Sequence, residues 1–205
     1  MASAAFPTRW GTFRIYGFRN EVSSAQAPGQ DAQKNGPVEE AVALVMGDVH
    51  SAPPLVRIHS QCLTGDVFHS LRCDCRQQLE LALSMISAAG AGILIYEQQE
   101  GRGIGLMAKL QAYALQDEGL DTIAANHALG FEADCRDFSL PGAILNDLGI
   151  QRIRLLSNNP EKRRALANAG IVVVEQIPCE ASPNPHAARY LRVKKQSMGH
   201  TLSFV

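Results

Sequence analysis

Three cysteines, Cys62, Cys73 and Cys75, lie within fourteen residues of one another. Thiolates are strong Zn²⁺ ligands, and Cys73 and Cys75 are close enough in sequence to chelate one ion. No second CxxC or Cys/His knuckle accompanies them, as a closed four-ligand structural site would require. Three protein ligands and a position open to water is the arrangement of a hydrolytic zinc centre. Two other readings stay open on spacing alone. His59, Asp66 or His69 could complete a structural site, or the thiols could be buried and inert, since free cysteine is among the most buried residue types. Cys135 and Cys179 have no partner in sequence and read as unliganded thiols. Five cysteines is an odd number, and the clustering of three points to metal or catalysis in a reducing compartment rather than to disulfides.

A second set of residues is cationic. Arg57, Arg72, Arg102, Lys109, Arg136 and Lys162 fall at expected element ends or turns, where side chains converge on ligands. The turn Gly101-Arg102-Gly103-Ile104-Gly105 before a helix offers backbone N–H groups and a helix N-terminus to phosphate. Glycine there serves a tight bend equally well. The turn is neither a Walker A loop nor a full dinucleotide fingerprint. Ser157-Asn158-Asn159-Pro160 is a second helix start of the same kind. Together with the cysteine trio, these starts point to a substrate that carries a triphosphate.

The elements that must position these groups follow from periodicity. Residues 10–18, 41–46 and 55–59 read as strands, and 20–40, rich in Ser, Ala, Gln, Gly and Pro, as an exposed loop. Cys75, Leu79, Leu83 and Ile86 recur at helical spacing, and Gly90 ends that helix. Residues 92–96 form a fully apolar run, the mark of a buried strand. Helices are expected over 106–118, from Pro141 to Gly149, and from Asn159-Pro160 to Gly170, with strands at 153–156 and 171–174. Residues 121–136 show no clear pattern. The C-terminal tail, 183–205, contains an expected basic helix over 186–199. Its segment 189–195 reads most simply as a solvated face, with a subunit contact or a lid over phosphates as the alternatives. The expectation is one α/β domain over 1–205: a mixed sheet with flanking helices, antiparallel with α+β character in its N-terminal third.

At 205 residues and 46% hydrophobic, the chain can bury a core and is not intrinsically disordered. Its formal charge of −1 excludes a dedicated coat for nucleic acid, though not a local pocket for an anion. No apolar run reaches membrane-spanning length, and the first ten residues lack a signal-peptide core. A cytoplasmic location is expected, with neither membrane nor nucleic acid as a partner.

Arg57-Ile-His-Ser-Gln-Cys62-Leu-Thr-Gly-Asp66, Ser70-Leu-Arg-Cys73-Asp-Cys75, Gln99-Glu100-Gly101-Arg102 and Ala112-Tyr113-Ala114-Leu115-Gln116 together resemble the GTP cyclohydrolase II family. So do Asn126-His127, Gly130-Phe131, Asp134-Cys-Arg136-Asp137-Phe138 and Asn158-Asn159-Pro160. The likeness runs from about Pro7 to Met198-Gly199-His200, with no room for the dihydroxybutanone-phosphate synthase domain fused to some members.

The resemblance implies an enzyme that opens the imidazole ring of GTP at C8, releases formate and cleaves the triphosphate. The implied product is 2,5-diamino-6-hydroxy-4-(5-phosphoribosylamino)pyrimidine, the first intermediate of riboflavin synthesis. It implies one catalytic Zn²⁺ per subunit on Cys62, Cys73 and Cys75, with Mg²⁺ accompanying the triphosphate. Tyr113 is implied to assist hydrolysis at the base. Arg136 is implied as nucleophile toward the α-phosphate and Asp134 as its proton acceptor. Arg57, Gln61, Gln78, Glu100, Arg102, Thr122, Ser157 and Lys162 fall at substrate-contact positions, and the assembly implied is a homodimer.

An arginine nucleophile is chemically awkward, and electrostatic clamping of the α-phosphate is the physical alternative. Gln61 replaces the Glu of the family's HSECLTGD, which removes a charge and keeps hydrogen-bonding capacity. Ser157 replaces Thr, and Cys135 stands where Glu is common. Tyr113 is retained, which argues against arrest at the formamidopyrimidine. The alternatives are a paralogue for another nucleotide or one that stops early, and a catalytically silent zinc- or nucleotide-binding regulator. The H-x-E and P-C-x-x-C signatures of zinc nucleobase deaminases are absent.

Overall fold

Four strands between residues 55 and 177 become parallel neighbours in one sheet. The computed structural model describes residues 2–21, 38–182, 184–197, 199 and 201–203. Among them, seven strands pair in the order β1-β2-β3-β5-β4-β6-β7. β1 (Ala2–Thr8), β2 (Gly11–Glu21) and β3 (Val38–Met46) form an antiparallel meander, and β3 pairs antiparallel with β5 (Gly92–Glu97). From there β5, β4 (Leu55–Ser60), β6 (Arg152–Leu156) and β7 (Val172–Ile177) run parallel. The expected mixed α/β sheet with flanking helices is the observed one.

Side chains alternate between two cores along the central parallel strands. Val56, Ile58, Ile93, Ile95, Ile153 and Leu155 enter one core, with Ile144, Leu145 and Leu166 of helices α5 (Ser139–Asp147) and α6 (Pro160–Asn168). Leu55, Leu94 and Leu156 enter the other, with Ala82, Leu83 and Ile86 of α2 (Cys75–Ala89). A sheet covered on both faces needs apolar residues at every position, which is the pattern of residues 92–96. Helix α2 ends as expected at Gly90, which takes the left-handed conformation (φ 72°).

Where the structure departs from the sequence reading, the reasons are local. The 20–40 loop is shorter than expected, because β2 and β3 stay paired through Asn20↔Glu39 and Glu21↔Val38. The rest of that segment lies outside the described residues. β1 carries no apolar alternation; its small residues are exposed, and it is an edge strand. α5 begins at Ser139, two residues before Pro141, since N–H groups of a first turn have no acceptor within the helix and proline there loses nothing. The unassigned 121–136 segment contains α4 (Thr122–Ala128), whose N-cap Asp121 accepts from the N–H of Ile123 and Ala124. The C-terminal tail is docked. It forms α7 (Ala188–Ser197), and Thr201 and Asn158 exchange two hydrogen bonds.

Strands β4, β5 and β6 all end at one edge of the sheet. The segments leaving them carry Gln61-Cys62, Gln99-Glu100 and Ser157-Asn158-Asn159. That edge of a parallel sheet is where open α/β folds bind ligands.

Candidate active site

Cys62 leaves β4 as the N-cap of the short helix α1 (Leu63–Asp66), and Cys75 is the first residue of α2. The Sγ atoms of Cys62, Cys73 and Cys75 lie within 4.8 Å of one another, with Cys62 and Cys73 at 3.7 Å. Gly65 makes this convergence possible. A Cβ there would stand 2.9 Å from Cys73 Sγ and 3.1 Å from Cys62 Sγ. Hydrogen bonds within the trio split their acidities. Cys62 is drawn far down by Cys73 and Cys75, with Lys109 adding to the effect, while Cys73 is pushed up to about 11 by Cys62, and Cys75 also rises. Three thiolates at this spacing need a dication among them, and soft donors in this number fit Zn²⁺ with a fourth position free.

His59 and Asp66 do not complete that set; they bind each other. Buried Asp66 accepts from His59 Nε2 (3.2 Å), the Tyr96 hydroxyl (2.9 Å) and the Cys62 N–H (3.1 Å). The carboxylate therefore fixes the cysteine loop from behind. Burial lowers the His59 pKa, so its ring is neutral. Among the described residues, Cys62, Cys73 and Cys75 are the one cluster able to hold a metal, and His69 is not part of it.

Lys109 is placed differently from the sequence reading. It faces the thiols, 3.2 Å from Cys62 Sγ and 2.7 Å from Glu100 Oε1. Burial opposes its charge, but Glu100 and the Cys62 thiolate outweigh burial and raise its pKa. Glu100 is fixed in turn by the N–H groups of Leu63 and Gly101.

The thiols face a chamber that also holds Gln61, Tyr113 and Thr122. Tyr113, on α3 (Leu106–Asp117), has the Arg72 guanidinium 4.6 Å from its ring centre, and Arg72 pairs with Asp117. A second chamber adjoins the first and shares Ser60, Cys75, Arg102, Arg136 and Tyr190 with it. It is cationic. Arg57, Arg102, Arg136, Lys162 and Lys194 line it, with Ser157, Asn158 and Asn159 at the start of α6. Three of its buried polar atoms, Arg57 Nε, His59 Nδ1 and Arg102 Nη2, have no hydrogen-bond partner among the described residues. Lys162 Nζ donates to the Ile58 carbonyl, and burial with Arg57 and Arg136 nearby pushes its pKa well down. Such a set calls for an anion.

Arg136 is held by a forked pair with Asp134, Nε to Oδ1 at 2.8 Å and Nη2 to Oδ2 at 2.5 Å. Gly103 locks the neighbouring turn against this segment. It has φ 88°, a Cβ there would lie 2.7 Å from the Cys135 carbonyl, and the Cys135 N–H donates to the Arg102 carbonyl.

The structure thus lines one cleft with the three cysteines, Tyr113, Arg136, Arg57, Gln61, Gln78, Glu100, Arg102, Thr122, Ser157 and Lys162. Asp134 stands behind Arg136. Sequence reading singled out none of Tyr190, Lys194, Asp74 and Glu97, and its simplest reading of 189–195 as a solvated face is corrected, since Leu191 is buried and Lys194 is buried against Asp74.

Glu97 closes β5 beneath the cleft, fully buried, 3.4 Å from Ser60 Oγ and 3.3 Å from Gln99 Nε2. Burial pushes its carboxyl up to about 7, against an ordinary 4.5. Between those values the folded chain holds a proton that the unfolded chain releases, so stability falls as pH rises through the window. From pH 5 to 7.5 the loss from this group is expected to be about 2 kcal/mol. Urea unfolding at both pH values should show the decline in the wild type and a flatter profile in Glu97→Gln. An equal decline in both proteins would disprove the assignment.

Comparison with known proteins agrees with this geometry. The sequence model of a family described as GTP cyclohydrolase II matches residues 1–178. A GTP cyclohydrolase-2 of Buchnera aphidicola is 52% identical over 201 residues, 98% of this chain and 96% of its own. The GTP cyclohydrolase-2 of Cronobacter sakazakii is 50% identical over 204 residues, 99% of this chain and 96% of its own. A riboflavin biosynthesis protein of Vibrio vulnificus is 49% identical over 97% of this chain, which spans 50% of that longer relative.

Proposed function

The chain belongs to the GTP cyclohydrolase II family, enzymes of riboflavin biosynthesis, and from that premise we propose a zinc-dependent hydrolysis of GTP. In this reading the guanine imidazole ring is opened, formate is released and the triphosphate is cleaved. The product is 2,5-diamino-6-hydroxy-4-(5-phosphoribosylamino)pyrimidine. One observation carries the reading: a chamber lined by three converging thiols opens into a cationic chamber at the same strand edge. A purine at the thiols puts its triphosphate among Arg57, Arg102, Arg136 and Lys162.

A zinc ion on Cys62, Cys73 and Cys75 would supply activation of water for hydrolysis at C8. Mg²⁺ would accompany the triphosphate. Gln61 and Thr122 offer uncharged donors and acceptors to the base. Burial raises the Tyr113 pKa, so the phenol keeps its proton at neutral pH and can donate it toward the opening ring. Lys162 and the α6 N-terminus receive the distal phosphates.

For Arg136 we favour the clamp over the nucleophile. Burial opposes its charge, but the forked bond from Asp134 prevails and raises its pKa, while Asp134 is held below the ordinary carboxylate range by the same pair. A proton is poorly placed to leave the guanidinium for that carboxylate. A charged fork stabilising the α-phosphate uses the pair as it stands.

No helix among the described residues is long and apolar enough to cross a membrane. We place the reaction in the cytoplasm and, from the family resemblance, in a homodimer. Incubation of zinc-loaded protein with GTP and Mg²⁺ should yield formate and the diaminopyrimidine monophosphate by mass spectrometry. A formamidopyrimidine without formate would mean that the second hydrolysis is missing. Intact GTP at full zinc content would overturn the reading in favour of another nucleotide or a binding role.

A further inference from the structure

The C-terminal helix α7 reaches the cleft at two points. Tyr190 lines both chambers, with Arg102 5.2 Å and Lys194 Nζ 4.5 Å from its ring centre. Lys194 Nζ pairs with Asp74 Oδ1 at 2.9 Å, and both side chains are about nine-tenths buried. Asp74 Oδ2 accepts from Gln78 Nε2 (2.5 Å), and Gln78 Oε1 accepts from Arg57 Nη2 (2.6 Å). One continuous polar chain therefore runs from α7 past the cysteine loop to a cation of the phosphate chamber. The helix is also held from behind. Ala187, Leu191 and Leu202 form a small buried cluster with Tyr190 packed on it, and Thr201 is bonded to Asn158 beside Ser157.

We propose that α7 completes the nucleotide site: Tyr190 contacts the substrate where the two chambers meet, and Lys194 is the positioning residue that holds it there through Asp74. The inference rests on the GTP reading above. In a nucleoside triphosphate, the ribose and α-phosphate span the junction between base and distal phosphates. The Tyr190 ring stands at that junction, flanked by two cations that fix its plane. Lys194 also neutralises Asp74. Without it, a buried carboxylate would stand unpaired beside the cleft, repelling a polyanion and releasing Gln78 and Arg57 from their array.

The test uses the full, zinc-loaded chain as wild type, Tyr190→Ala, Lys194→Met and Lys194→Arg. Three quantities are read: KM and kcat for GTP, the Kd of a non-hydrolysable GTP analogue by calorimetry, and zinc per chain. Tyr190→Ala and Lys194→Met are expected to raise KM and Kd roughly 10- to 100-fold, with a smaller change in kcat and full zinc content. Lys194→Arg should recover most of the loss, and the double variant Tyr190→Ala/Lys194→Met should be little worse than either single one. Unchanged KM and Kd in Tyr190→Ala, with GTP turned over by the wild type, would overturn this inference alone. Loss of zinc as the main defect of Lys194→Met would reduce Lys194 to a structural support of the cysteine loop and overturn its assigned role. A wild type that leaves GTP intact would overturn the reaction and this inference with it.

Discussion

Replacing Cys75 with serine is expected to abolish stoichiometric zinc binding and to cut formate release from GTP by about a thousandfold or more. Cys75 is the first residue of α2, so its Sγ is aimed by a helix, and among the described residues no other His, Cys, Asp or Glu joins its cluster. A serine hydroxyl is a poor zinc ligand, and two thiolates alone hold the ion weakly. Gly65→Ala should give much of the same loss without touching a ligand. Its methyl would stand 2.9 Å from Cys73 Sγ, closer than real Cβ atoms come, and 3.1 Å from Cys62 Sγ, so the thiols must shift to admit it. Metal analysis and the thiolate-to-metal absorption of the cobalt-loaded protein check both variants. Full metal content with wild-type formate release in Cys75→Ser would remove the cysteine trio from the reaction.

Arg136→Ala is expected to lower kcat by on the order of 10²- to 10³-fold, the loss that follows removal of one preorganised donor from a developing anion. The more informative partner is Asp134→Asn. An amide keeps one acceptor for the guanidinium and cannot take its proton. If Arg136 acts as a charged clamp, Asp134→Asn should cost only about tenfold, through looser aim of the fork. Loss of activity as complete as in Arg136→Ala, with an arginine-linked nucleotide trapped in single turnover, would instead establish the nucleophilic route. Arg136→Lys separates charge from shape, because it keeps the cation and loses the planar fork.

The parts of the molecule legible in sequence are those with short-range causes. The cysteine trio spans fourteen residues, and the start of α6 is written in Asn159 and Pro160: Asn159 accepts from the Glu161 N–H and Pro160 needs no donor there. Strand β5 shows as an uninterrupted apolar run because both of its faces are covered. β1 had no such mark, since it is held by backbone pairing to β2 at an exposed edge. α4 is seven residues long, too short for a period, and Asp121 was its one signal. Tyr190 and Lys194 were legible only as part of the 189–195 segment, for which a lid over phosphates was one alternative among three. Lys194 meets Asp74 across 120 residues of sequence, and only the docking of α7 brings them together. Lys109 was recognised as a functional cation but assigned to the wrong anion. Helix spacing says that it faces the site, and only tertiary packing says which end.

Three atoms of the cationic chamber that have no partner among the described residues bear on the stability of the fold. A buried polar group without a partner costs roughly 1–3 kcal/mol, a sizeable share of the 5–15 kcal/mol that separates a typical native state from its unfolded chain. Arg57 Nε, His59 Nδ1 and Arg102 Nη2 are places where an anion or water entering the chamber would find donors and acceptors that the described residues leave unused. Substitutions that satisfied them internally would toughen the fold and blunt the site. In the GTP reading proposed above, a triphosphate among these cations would give them partners, so its binding is expected to raise the melting temperature of the folded chain as well as to occupy the cleft.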